Sequence, residues 1–108
     1  KLGDGMKIAF VIYVLLSYSI QDNPNRQTIE IISWGLPFNN INECVGFWNK
    51  YKPDLLNGAL VHSNSKYGYG SEIEESGCVK VEVSVDVNGS YAKNKSDREI
   101  LYTKEKNE

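Results

Sequence analysis

The sequence predicts an α+β domain: an antiparallel sheet of about four strands, built as two hairpins, with one main helix packed on one face, in the order ββαββ. Three observations predict it. Residues 8–16 form an apolar run rich in β-branched and aromatic side chains. Residues 41–52 repeat their apolar positions every three to four residues, the helix spacing. Residues 79–87 place Val at every second position, with Lys80, Glu82, Ser84 and Asp86 between them. Strict alternation of that kind marks a strand with one buried and one wet face.

The opening stretch, "KIAFVIYVLLSYSI", has three readings. As a strand it puts Ile8, Phe10, Ile12, Val14, Leu16, Tyr18 and Ile20 on one face, and Ala9, Val11, Tyr13, Leu15, Ser17, Ser19 and Gln21 on the other. The second face starts apolar and ends polar. Burial on both faces at the start is therefore expected, with one face emerging into solvent. As a secretion signal, residues 6–19 offer a basic start, an apolar run and serines near a cleavage point. As a membrane anchor the run is too short, because a spanning helix needs about 20 apolar residues. The strand reading fits the side-chain chemistry best. Residues 1–5, "KLGDG", read as an extraneous leader before Met6.

Residues 21–27, "QDNPNRQ", make a strong turn, with Asp22, Asn23, Pro24 and Asn25 each favouring it. A second strand, "TIEIISW" (residues 28–34), follows and ends at Gly35 and Pro37. Asn40 and Glu43 form a capping-box-like pair at the start of the helix. Pro53 is expected to stop that helix at Lys52. A short second turn then closes at Gly58, and residues 59–62 are either a short strand or more helix. Residues 63–77, "SNSKYGYGSEIEESG", read as a long surface loop. The valine strand ends at Asn88-Gly89, which fits a two-residue hairpin turn. The return strand starts at Ser90, is interrupted by "KNKSD", and resumes at residues 98–103. Residues 104–108 read as a solvated charged tail, and the whole chain, 1–108, as one domain.

The charge balance of 12 basic against 14 acidic residues gives a net of -2. No Lys/Arg cluster supplies the basic face that nucleic-acid binders use, so neither nucleic acid nor an anionic membrane is an expected partner. Twelve aromatics (two Trp, seven Tyr, three Phe) argue against disorder.

Few residues suggest chemistry. Cys44 and Cys78 are the only cysteines, and His62 the only histidine. A disulfide and two reduced buried thiols both stay open. A secreted chain this short usually carries several bridges, which tilts toward reduced. The spacing of Cys44, Cys78 and His62 matches no metal motif, and no cofactor is expected. A Cys-His nucleophile pair would need His62 beside one of the thiols in space. Tyr67 and Tyr69, alternating with glycines, have the composition of adaptable binding loops. With Trp48 or Phe47 they would form an aromatic contact patch. Glu72, Glu74 and Glu75 would steer the loop toward a basic partner. Asn88-Gly-Ser and Asn94-Lys-Ser match the glycosylation acceptor pattern.

These features favour a small non-enzymatic binding module that occludes another protein, as an inhibitor or a toxin-neutralising immunity protein does. Tyr67, Tyr69, Glu72, Glu74 and Glu75 are its expected contacts, and the cytoplasm its expected compartment. The alternative is a secreted, disulfide-bridged and glycosylated domain that binds a host or extracellular protein. That alternative takes residues 6–19 as a signal peptide.

Overall fold

The structure, a computed structural model, describes residues 6–67, 70–86 and 89–104, with the side chains of 8–67, 70–82 and 99–104. It has the expected class and order. Strand β1 (Met6–Tyr18) pairs antiparallel with β2 (Gln27–Ile32). Helix α1 (Ile41–Tyr67) follows, then β3 (Glu72–Asp86) and β4 (Gly89–Thr103). The sheet order is β2-β1-β3-β4, so the N-terminal strand is central and pairs with β3 on its other side. Among the described residues no helix is long and apolar enough to cross a membrane.

Residues 6–18 are thus a strand at the heart of the sheet. Both of its faces are buried through the middle, since Val11, Ile12, Tyr13 and Leu16 are at most 1% exposed. The expected pattern of burial was displaced along the strand: Ile8 at its start is exposed, while Ser17 near its end is buried. On the helix side Phe10 and Ile12 pack with Cys44, Trp48 and Cys78, and Val14 and Leu16 pack with Leu56, Ala59 and Leu60. On the opposite side Ala9, Val11 and Tyr13 pack with Val79 and Val81. The valine face of β3 therefore looks away from the helix, and Ser76 and Cys78 look toward it.

The β1–β2 turn follows its sequence. Asp22 takes φ 66°, a left-handed conformation that Asp tolerates. The Asn25 N–H donates to Asn23 Oδ1 across Pro24. β2 stops two residues earlier than expected, at Ile32. The Ser33 N–H still reaches Ile12 O at 2.9 Å, and the chain then leaves the ladder.

Asn40 caps α1, its Oδ1 accepting from the Glu43 N–H at 2.9 Å. The helix does not end at Lys52. It bends at Tyr51 (φ -114°, ψ 15°) and runs on to Tyr67. Pro53 removes the N–H that would bond Asn49 O, and its ring crowds that carbonyl, so the helix bends there. It resumes because Leu56, Ala59 and Leu60 have a second apolar patch to cover. Gly58 is accordingly helical rather than the close of a turn, and of the two readings of residues 59–62 the helical one holds.

The expected loop at 63–77 is the largest correction. Residues 63–67 finish the helix and residues 72–77 open β3. Ser63 is fully buried, and its hydroxyl meets that of Ser71 at 2.6 Å. The Ser71 N–H donates to Asn64 Oδ1. These bonds tie the last turns of the helix to the start of the strand.

β4 is also more continuous than its sequence suggests. "KNKSD" does not interrupt it. Three register shifts against β3 leave Lys93, Asp97 and Leu101 without a paired residue, and each absorbs one misfit. The shift beside Ser76 puts Leu101 on the helix side together with Tyr102. Asp86 pairs with Gly89, so Gly89 belongs to the ladder rather than the turn. Asn88 lies outside the described residues. Lys104 is no solvated tail residue, because its N–H donates to Glu74 O at 2.6 Å.

Candidate functional site

Four of the five expected contact residues, Tyr67, Glu72, Glu74 and Glu75, are described, and they lie where the helix gives way to β3. Tyr67, the last helical residue, stacks on Tyr18 with ring centroids 4.2 Å apart and planes 12° apart. Tyr69 lies outside the described residues. Phe47 and Trp48 sit some five helical turns back along α1 and do not join Tyr67. Trp48 is buried, and its indole N–H donates to Ser76 Oγ at 3.1 Å.

Glu72, Glu74 and Glu75 are on β3, each in a bond of its own. Glu75 accepts from the buried Tyr13 hydroxyl at 3.0 Å. Glu74 accepts from Ser17 Oγ at 2.5 Å. Glu72 is ion-paired to Lys104, and Arg26 lies 3.9 Å away. Lys104 also reaches Glu74 at 3.7 Å. Two cations thus stand among three carboxylates, which leaves little acidic field to steer a basic partner.

Arg26 organises this end of the sheet. Its Nε donates to Ser17 Oγ, its NH1 to Ser19 Oγ, and its NH2 to both Ser17 O and Gly70 O, all within 2.9 Å. The guanidinium therefore joins β1 to the helix–strand connection. Arg26→Met keeps the stem and removes every donor. It is expected to cost about 1–2 kcal/mol, discounted for partial exposure. Urea unfolding measures this, and a loss under about 0.5 kcal/mol, the usual range of an ordinary surface change, would show that water replaces those bonds.

Cys44 and Cys78 are joined in a disulfide with Cα atoms 6.3 Å apart, and both residues are fully buried. The tilt toward reduced thiols is overturned: the helix register and the helix-facing register of β3 bring the two side chains together. His62 lies exposed on α1, and neither sulfur is a free thiol for it to activate. Among the described residues no group of His, Cys, Asp and Glu is placed to hold a metal. Asn94 faces Glu82 across the β3–β4 ladder, and its side chain is outside the described set.

A surface that the sequence reading missed lies at the β2–α1 connection. Between Ile32 and Phe38 the chain makes an excursion from the sheet edge. Both ends are clamped to β1: Ser33 by its bond to Ile12 O, Phe38 by a pair of bonds with Phe10 at 2.9 and 2.8 Å. The Leu36 N–H closes a turn on Ser33 O at 3.1 Å. Trp34 is 45% exposed and Leu36 39%. Phe38 then meets Phe47 at 5.3 Å, and Phe47 meets Tyr51 at 4.6 Å. "SWGLPF" held the signal, since Trp and Leu flank a glycine inside a turn, but strand and breaker residues in series read first as a strand end.

No family model, curated protein or solved structure matches the chain.

Proposed function

We propose that this chain is a small protein-binding module that works in an oxidising compartment and carries out no reaction of its own. The buried Cys44–Cys78 bridge carries this reading. Such bridges persist outside reducing cytosol and are typical staples of small extracytoplasmic domains. The bridge also uses both sulfurs, which removes the nucleophile that a Cys-His pair with His62 would need. The proposal therefore takes the secreted side of the two expectations, without requiring residues 6–19 to be a signal. Removing them would take out the central strand. The sequons at Asn88 and Asn94 belong to the same reading. A rigid, stapled frame suits occlusion of a partner, the way an inhibitor or immunity protein acts, because little ordering is left to be done on binding.

Two measurements test it together. The intact mass of the chain isolated from its own source should rise by two hydrogens on reduction after unfolding. Capture with the folded chain from the matching extracytoplasmic fraction should return a protein that rebinds when both components are pure. A native chain with two free thiols, or capture that yields no such protein, would sink the proposal.

A further inference from the structure

We infer that Asn94 is a modification site: its carboxamide accepts an N-linked oligosaccharide. This rests on the oxidising-compartment reading above and narrows that compartment to one that holds a lipid-linked sugar donor. Four observations carry it. Asn94-Lys95-Ser96 is a complete acceptor triplet, with no proline at its middle position. The triplet fills the paired stretch of β4 between two unpaired residues, Lys93 and Asp97, opposite Lys80, Val81 and Glu82. Releasing it to a transferase therefore disturbs one short piece of ladder that is already interrupted on both sides. Paired residues share a face of the sheet, so Asn94, Glu82 and Ile8 form one row across β4, β3 and β1. The helix does not cover this row: Ile8 is 41% exposed and Glu82 half-buried, whereas Phe10, the next residue of β1 on that face, packs with Cys44 and Trp48. Among the described residues nothing pairs with the outer edge of β4, which runs for 15 residues. A long free edge invites other strands, and a bulky, hydrated sugar beside it keeps them off.

The donor is a polyprenyl-diphosphate oligosaccharide. The carboxamide nitrogen of Asn94 bonds to its anomeric carbon. The bond from that carbon to the diphosphate oxygen breaks, and the electron pair leaves with the diphosphate. The nitrogen gives up one proton to a base of the transferase. Asn88, of the other acceptor triplet, lies outside the described residues, so the register argument belongs to Asn94 alone.

The test uses the full chain isolated from its own source. It is digested and mapped by mass before and after treatment with a peptide N-glycosidase in heavy-oxygen water. The peptide that holds Asn94 should carry a series of hexose and N-acetylhexosamine masses. The enzyme should remove them and leave an Asp at position 94 labelled with heavy oxygen. Made in the same source, Asn94→Gln and Ser96→Ala should each lose that sugar completely, and Ser96→Thr should keep it. If a variant does not fold, the map of the parent chain decides alone. An unmodified Asn94 in a chain whose cysteines are bridged would overturn the inference and leave the oxidising-compartment reading standing. Sugar on Asn88 alone would do the same. Full sugar mass at this peptide in Ser96→Ala would also overturn it, since the attachment would not follow the acceptor triplet. An unmodified Asn94 together with two free thiols would bring down the compartment reading, and this inference with it.

Discussion

Replacing both cysteines, C44A/C78A, is expected to lower stability by about 4 kcal/mol. The bridge spans 34 residues of sequence, and the chain-entropy relation gives ~3.8 kcal/mol for a loop of that size at 25 °C. Domains of this size have roughly 5–15 kcal/mol in total, so the variant would be marginal at physiological temperature. The midpoint of thermal unfolding should fall by roughly 15–25 °C. Burial adds a kinetic side to this. Both sulfurs sit between α1 and β3 with no exposed surface, and thiol exchange needs direct approach to a sulfur. The folded chain should therefore resist reductant and be reduced quickly once urea opens it. Reduction as fast in buffer as in urea would show that the helix leaves the sheet readily. A double variant within about 1 kcal/mol of the parent would show that the packed helix holds without its staple.

Gly77→Ala is expected to cost roughly 3 kcal/mol, the upper end of overpacking penalties. A Cβ at this position would stand 2.1 Å from Glu99 O and 3.0 Å from Leu101 N. Both are backbone atoms, so no side chain can rotate away to make room. Gly77 pairs with Tyr13, and a Cβ there would point to the valine face of the sheet. The clash thus records where β4 bends across that face, beside the register shift between Ser76 and Gly77. Gly58→Ala is the matched comparison. It lies in the helix with nothing within 4 Å of the added methyl, and should stabilise by about 0.5–1 kcal/mol. Chemical denaturation of the two variants side by side decides the matter. If Gly77→Ala costs under about 1 kcal/mol, less than overpacking usually does, β4 has room to move off the face.

Residues whose local pattern and tertiary role agree were legible in the sequence. β1 was read from alternation that later proved to face two separate cores, and Asn40 was read as a cap and is one. The failures came where tertiary contacts override local preference. Pro53 signals a helix end, yet the second apolar patch on the sheet draws the helix past it. "EIEESG" lacks the apolar alternation of a strand, and becomes one because Leu15, Leu16 and Ser17 offer it a ladder. "KNKSD" reads as a break, and three unpaired residues let β4 pass through it. For the site, the three glutamates were visible as charge. The pairing of Glu72 and Glu74 with Arg26 and Lys104 was not, because those partners lie 30 to 46 residues apart in sequence and meet only through the fold. The exposed Trp34 was hidden for the opposite reason: a tryptophan at the end of an apolar run is expected to be buried.

The central place of β1 also sets the order in which the chain can be made. Its β3 partner begins at Glu72, 54 residues after Tyr18. At ribosomal speeds of about 5–20 residues per second, that interval lasts roughly 3 to 10 seconds. During it the most apolar segment of the protein has only β2 to pair with on one edge, and its other edge and the face away from the helix wait for β3. The nascent chain therefore passes through a stage in which an unpaired hydrophobic strand waits for its neighbour, and a holding chaperone or a translocation channel would shorten its exposure to other chains. The fold closes only when the second hairpin arrives, and the Cys44–Cys78 bond can form no earlier.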